Sequence, residues 1–302
     1  MTCYHPLKAF RSPNLSAAGK LSISFSPTKG YTDLPITLPC GQCIGCRLER
    51  SRQWAVRCMH EAQLHDENAF LTLTYSEDCL PKSGSIEKSA MQKFIKRYRK
   101  SISPGKIRYV LCGEYGDQTR RPHYHALIFG HDFSADRIVH SKASDGSYLY
   151  TSELLSKLWP YGHALIGSVT FESAAYVARY CLKKITGKAA ISAYEVLDPQ
   201  TGEIISLTPE FFQMSLKPAI GSEWLKKFKS DVYPSDEIIV RGHKTRPPRA
   251  YDKILTDEEV SPIKKKRLQM ARKHSQNNTP ERLHVREQLH NARVNDKLPR
   301  KL

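Results

Sequence analysis

Residues 107–129 read IRYVLCGEYGDQTRRPHYHALIF. Two runs rich in β-branched, aromatic and apolar residues, Ile107–Glu114 and His123–Phe129, flank a polar segment. That pattern predicts two strands joined by a turn. In the second run His123 and His125 stand two residues apart, so a strand sends both imidazoles to one face and Tyr124 to the other. If the strands pair as a hairpin, Glu114 lies close to opposite His123 and shares its face. Two neutral imidazoles and a carboxylate then converge with open positions left on a metal. Such a donor set holds a divalent cation and leaves room for substrate oxygens. Mixed nitrogen and oxygen ligation admits Mn²⁺, Mg²⁺ or Zn²⁺. The competing reading is two ordinary surface histidines.

Outward from this segment the element order becomes clear. Upstream, AFLTLTY (Ala69–Tyr75) reads as a strand. After a turn at Pro81–Gly84, Ser85 is expected to cap a helix whose Met91, Phe94, Ile95 and Tyr98 follow i, i+3, i+4, i+7 spacing, with Lys93, Lys96, Arg97 and Lys100 opposite. Pro104-Gly105 ends it. Downstream, after a polar loop, Thr151 or Ser152 opens a short helix to Leu158, Gly162–Thr170 reads as a strand, and Ser173 opens a helix closed by Gly187. Strand, helix, strand, strand, helix, strand is the split βαβ order. The expected fold is α+β: a ferredoxin-like, RRM-like antiparallel sheet with helices, a small Cys-rich N-terminal arm and a basic C-terminal region.

On the last helix, Tyr176 and Tyr180 are four apart and share a face. Each is followed three residues later by a cation, Arg179 or Lys183. A phenol titrates near 10, and nearby cations favour its phenolate or stabilise charge on an attacked phosphate. A tyrosine so placed suits nucleophilic attack on a phosphodiester. Taken alone, the pair reads more readily as packing residues.

The flanks carry different signals. Residues 1 to about 39 read as a loose lead-in with one short alternating run, Leu21, Ile23, Phe25. Cys40, Cys43 and Cys46 follow, then a helical stretch from Arg47 to about His65. Three thiols in seven residues, with Cys3 as the expected fourth and His5 or Cys58 as substitutes, suit a closed structural Zn²⁺ site. Free thiols at a helix start are the alternative. Cys79, Cys112 and Cys181 read as small buried apolar residues. Beyond residue 187, helical fragments are expected at Pro209–Met214 and Ser222–Lys229 and a strand at Glu237–Val240. Residues 241–302 hold 17 basic and 7 acidic side chains and read as a solvated, partly disordered tail or a nucleic-acid tether. The division expected is an arm with the first helix (1–66), a core (67–187) and a C-terminal region (188–302).

The 302 residues are 40% hydrophobic and 25% charged, ordinary globular composition, with a net charge of +17. So basic a chain favours polyanionic partners, because each cation placed on a phosphate releases a condensed counterion. No stretch approaches the ~20 apolar residues of a membrane span, and the start lacks the apolar core of a secretion signal. A cytoplasmic location, with no membrane partner, is expected.

Phe70-Leu71-Thr72, His123 with His125, and Tyr180 with Lys183 occur in that order, and together they resemble the three motifs of the HUH endonuclease superfamily. Tyr176-Val-Ala-Arg-Tyr180 is similar to the paired tyrosines of rolling-circle replication initiators from small single-stranded DNA phages. The run from Cys40 through Cys46 to Arg47-Leu48-Glu49, followed by Gln53-Trp54-Ala55, resembles the initiators of gokushovirus-type Microviridae. The likeness covers roughly residues 1–186. It departs at Tyr124, where an apolar residue is usual, and at Arg179, which leaves Tyr180 the better matched nucleophile.

The resemblance implies an HUH-type fold in which Mg²⁺ or Mn²⁺ on Glu114, His123 and His125 polarises a scissile phosphate. Tyr176 or Tyr180, with Lys183, would attack single-stranded origin DNA, forming a 5′-phosphotyrosine and a priming 3′-OH. Without a Walker-type Gly-Lys-Ser/Thr the chain would borrow a host helicase, working in a bacterial cytoplasm. The rival readings are a non-catalytic basic nucleic-acid-binding module, metal-activated water hydrolysing phosphodiesters, and a single-tyrosine HUH transposase or relaxase.

Overall fold

The computed structural model describes residues 3–15, 19, 21–116, 118–143, 146–180, 189–197 and 202–297, with backbone alone at 180, 189–191 and 295–297. They form two compact units: Met1–Arg50 with Val260–Leu302, and Ser51–Glu259. In the first, β1 (Leu7–Leu15), β2 (Leu21–Ser24) and β3 (Tyr31–Leu38) make an antiparallel sheet in the order β2-β1-β3. The lead-in is therefore more ordered than its Ser, Pro and Gly content suggests, because main-chain pairing does not require apolar side chains. α1 (Ile44–Ala62) starts in this unit.

The second unit is built on β4 (Asn68–Thr74), α2 (Lys88–Ser101), β5 (Arg108–Tyr115), β6 (Pro122–Phe129), β7 (Ile138–Lys142), β8 (Tyr148–Thr151), α3 (Glu153–Leu158), β9 (Ala164–Gly167) and α4 (Phe171–Tyr180). α5 (Ala189–Tyr194), β10 (Glu195–Leu197), β11 (Ile204–Ser206) and β12 (Phe211–Met214) follow. The main sheet has seven antiparallel strands in the order β12-β5-β6-β4-β9-β8-β7. Its central order, β5-β6-β4-β9, is what a split βαβ unit gives.

Period two sorts the side chains of this sheet into two faces. Ala69, Leu71 and Leu73 of β4 with Tyr124, Ala126 and Ile128 of β6 pack against Met91, Phe94, Ile95 and Tyr98 of α2, Leu155 and Leu158 of α3, and Trp159. Burying each such large apolar side chain contributes about 1.5–3 kcal/mol. On the other face Phe70, Val110, Cys112, Leu127 and Phe129 meet Ala55, Cys58 and Ala62 of α1 and Ala174 and Val177 of α4. The burial of β4 alternates strictly, closed toward α2 and half open toward α4.

Several local expectations change. α2 begins at Lys88 with no side-chain cap. Ser85 Oγ instead accepts the Thr208 N–H at 2.8 Å and lies 3.4 Å from the Tyr115 hydroxyl. Ser152 caps α3 as expected, accepting the Leu155 N–H at 3.0 Å. α4 opens earlier than Ser173: Thr170 Oγ1 accepts the Ser173 N–H at 3.1 Å and Ser173 Oγ accepts the Thr170 N–H at 2.8 Å, a reciprocal capping box. The helix expected within Pro209–Met214 is the strand β12, drawn into the sheet by the free edge of β5. The polar loop after β6 contains the β7–β8 hairpin. Cys79 is exposed rather than buried, Cys112 is buried, and Cys181 lies outside the described residues.

The rest of this unit holds α6 (Ser222–Lys227), α7 (Lys229–Val232), β13 (Ile238–Val240) and β14 (His243–Thr245). The expected basic tail carries two helices, α8 (Asp257–Lys273) and α9 (Pro280–Lys297). Asp257, Glu258 and Glu259 in the first turn of α8 and Arg272 and Lys273 in its last complement the helix dipole. Among the described residues no helix is long and apolar enough to cross a membrane.

Candidate functional site

The hairpin register sets the site. β5 and β6 pair with Glu114 opposite His123 and Cys112 opposite His125. On the other flank of β6, Thr72 of β4 is opposite His125. Glu114, His123 and His125 thus share the α4 face, and their ligating atoms lie within 4.8 Å of one another. His125 Nε2 is 3.0 Å and His123 Nε2 3.2 Å from the same carboxylate oxygen, Glu114 Oε1.

The far side of each ring is also held. His123 Nδ1 lies 3.0 Å from the Arg121 carbonyl, so that nitrogen donates and Nε2 is left with its lone pair. His125 Nδ1 lies 3.2 Å from Thr72 Oγ1. Partners of this kind orient imidazoles toward a metal. Burial holds His125 below the ordinary imidazole value, with the Glu114 carboxylate pulling the other way. A neutral ring is the form that ligates a metal. Two nitrogens and a carboxylate of this disposition fit a divalent cation with positions left open.

Aromatic rings wall the donors. Phe70 stacks on His125 at 5.7 Å between centroids, and the Tyr176 ring stands edge-on to His125 at 5.0 Å and 88°. The Arg179 guanidinium lies 5.9 Å from the Tyr176 centroid. α4 is positioned beneath this contact by Val177 and Ala174 in the core and by Ser51 of α1, whose hydroxyl donates to the Ala175 carbonyl at 2.9 Å. Tyr180 ends α4, but its side chain, and Lys183 entirely, lie outside the described residues.

Tyr124 occupies the opposite face, as its parity requires. It is fully buried, its hydroxyl accepting the Glu87 N–H at 2.8 Å and lying 3.0 Å from the Tyr75 hydroxyl. The sequence places Thr72 in a motif without giving it a task. Only the β4–β6 register reveals that it supports His125. Phe70 belongs to the same stripe, and its period-two relation to Thr72 is the signal that could have found it.

Comparison with known proteins bears on this arrangement. The family described as replication-associated protein ORF2 matches residues 68–185. The replication-associated protein VP4 of Bdellovibrio phage phiMH2K is 35% identical over 262 residues, spanning 83% of this chain and 76% of that protein. The replication-associated protein ORF2 of Spiroplasma virus 4 is 30% identical over 300 residues, 90% of this chain and 88% of that protein. The chain belongs to the replication-associated proteins of Microviridae-type phages. A further replication-associated protein, ORF4 of Chlamydia phage 1, is 34% identical over 154 residues, 49% of this chain and 38% of that protein. No solved structure matches this replication-associated protein. Its family-matched segment contains β4 through α4, and with them Glu114, His123, His125, Tyr176, Tyr180 and Lys183.

Proposed function

We propose that this replication-associated protein initiates rolling-circle replication by nicking single-stranded origin DNA through tyrosine attack. The observation that carries the reading is the convergence of Glu114, His123 and His125 on the sheet face against which the Tyr176 ring packs. Glu114, His123 and His125 would hold Mg²⁺ or Mn²⁺, which when bound would polarise the non-bridging oxygens of a scissile phosphate.

Tyr176 and Tyr180 then serve as nucleophiles. The phenol oxygen bonds to phosphorus while the bond from phosphorus to the 3′ oxygen breaks. The phenolic proton passes to solvent, and the departing 3′ oxygen takes one up to become a 3′-OH. The product is a 5′-phosphotyrosine that conserves the phosphodiester, so attack by a later 3′-OH rejoins ends without a nucleotide cofactor. Arg179 beside Tyr176, and Lys183 one turn past Tyr180, favour the phenolate by their charge. Two nucleophiles one turn apart allow one to hold a DNA end while its neighbour cuts the next copy. The nicking core is assigned to residues 67–187, with strand separation left to a host helicase in the bacterial cytoplasm.

The test is covalent. Labelled origin-like single-stranded DNA with Mn²⁺ or Mg²⁺ should give an adduct that survives denaturation and is lost in the Tyr176→Phe/Tyr180→Phe double variant. A gel shift with no adduct would favour a non-catalytic binding module. Cleavage that persists without both tyrosines would favour attack by water.

A further inference from the structure

We infer that Cys3, Cys40, Cys43 and Cys46 form a closed tetrathiolate Zn²⁺ site that holds the unit Met1–Arg50 with Val260–Leu302 together. The four Sγ atoms lie within 4.8 Å of one another, and Cys3 Sγ to Cys43 Sγ is 4.0 Å. Thiolates about 2.3 Å from a tetrahedral Zn²⁺ would be separated by roughly 3.8 Å. The observed spacing is far beyond the roughly 2.05 Å of a disulfide, and all four cysteines are free.

The backbone is arranged for sulfur anions. The Cys40 N–H donates to Cys3 Sγ at 3.2 Å, the Cys43 N–H to Cys40 Sγ at 3.3 Å, and the Tyr4 N–H to Cys43 Sγ at 3.3 Å. Hydrogen bonds to a charged acceptor are the stronger class, and these supply donors a neutral thiol hardly needs. Gly41, at φ +77°, provides the left-handed turn between Cys40 and Cys43. A Cβ built there would lie 3.5 Å from Arg50 Nη2, so a guanidinium sits beside the loop and offsets the net negative charge of four thiolates on one divalent ion.

The surroundings explain why a metal is useful in this unit. Cys3 is fully buried, Cys43 and Cys46 are buried, and Tyr4 and Cys40 pack around them. The unit's sheet contributes little apolar burial: Leu7, Leu15, Leu21, Ile23, Phe25 and Leu34 are all exposed. Small units with so little core commonly depend on a metal or disulfides. Cys46 lies in the first turn of α1 and Cys43 just before it, so the ion would tie the start of the chain to the start of that helix. Four protein ligands leave no open position, so the ion is structural. Soft thiolate donors also separate it from the nitrogen and oxygen donors that would take Mg²⁺ or Mn²⁺.

The test uses the full chain purified without chelator and dialysed against excess Mg²⁺. Metal analysis should find about one tightly held Zn²⁺ per chain. It should persist in the His123→Ala/His125→Ala variant and be lost in Cys46→Ser. Alkylation with peptide mapping should label exposed Cys79 at once and leave Cys3, Cys40, Cys43 and Cys46 unlabelled until a strong zinc chelator is added. If Cys46→Ser does not fold, Co²⁺ exchange into the unaltered protein decides. A tetrahedral tetrathiolate gives thiolate-to-cobalt charge-transfer bands, whereas His and carboxylate ligation gives none. Absence of those bands, zinc that survives Cys46→Ser, iron in place of zinc, or four cysteines that react as fast as Cys79 would each overturn the assignment. None of these readouts depends on DNA cleavage, so failure of the nicking proposal would leave the zinc result interpretable.

Discussion

Thr72 and His125 show how a single hydroxyl bears on the proposed metal centre. Thr72 Oγ1 lies 3.2 Å from His125 Nδ1, and loss of such an outer partner typically lowers metal affinity about 10–100-fold. Thr72→Val should therefore raise the half-saturating Mn²⁺ for nicking by about that factor, with the maximal rate largely recovered at high Mn²⁺. His125→Ala or His123→Ala should abolish cleavage at any Mn²⁺ while DNA binding in a gel shift stays largely intact. Normal nicking by either alanine variant would remove those residues from the centre. A second buried histidine sets the acid limit of the fold. His60 stacks on Trp224 at 3.5 Å, its Nδ1 lies 2.8 Å from the Tyr251 hydroxyl, and burial lowers its value from 6.5 to about 4. Its unfolded form takes up a proton near pH 6.5 that the folded form refuses until about pH 4. The associated stability is thus fully present above 6.5 and lost as the pH falls toward 4, by about 3 kcal/mol at most. Urea denaturation of the protein and of His60→Gln across that interval measures it. Parallel pH profiles would show that His60 is not the group responsible.

At the scale of elements, α4 connects its cap to the chemistry. Thr170 and Ser173 cap it reciprocally, and Tyr176 stands one turn further on. Thr170→Ala should cost about 1 kcal/mol in denaturant unfolding. It should also slow nicking more than it weakens DNA binding, because α4 carries the proposed nucleophiles; equal losses in both would show that the cap serves stability alone. The same scale shows what can be read from sequence. β4, β5 and β6 and the convergence of Glu114 with His123 and His125 are legible, because period two fixes the face of a strand without tertiary information. The state of β12 is not: Phe211-Phe212-Gln213-Met214 lacks alternation, and pairing with β5 decides it. β7 escapes notice because all five of its residues are exposed, leaving no pattern of burial to detect. α8 and α9 are hidden by charge and by Pro262, although Val260 and Ile263 mark a buried edge three residues apart. The support of His125 by Thr72 depends on register between strands about fifty residues apart, which local spacing does not encode.

Across the whole molecule, the +17 charge governs how DNA is gathered. Binding to single-stranded DNA should weaken linearly in log affinity against log salt, each phosphate contact contributing a slope of about −0.7. Nicking at saturating DNA should respond far less. Filter binding and adduct formation over a salt series separate the two, and a flat binding curve would rule out phosphate neutralisation as the main source of affinity. The register of β4 against β6 has a consequence for how such a chain can diversify. Thr72 faces His125 while Leu71 faces the α2 core, so inserting or deleting one residue inside β4 would exchange a polar prop for a greasy one and drive leucines into the cleft. Lineages that change origin preference are therefore expected to vary the hairpin tips, around residues 116–121 and 143–147, and to keep the length of β4 untouched.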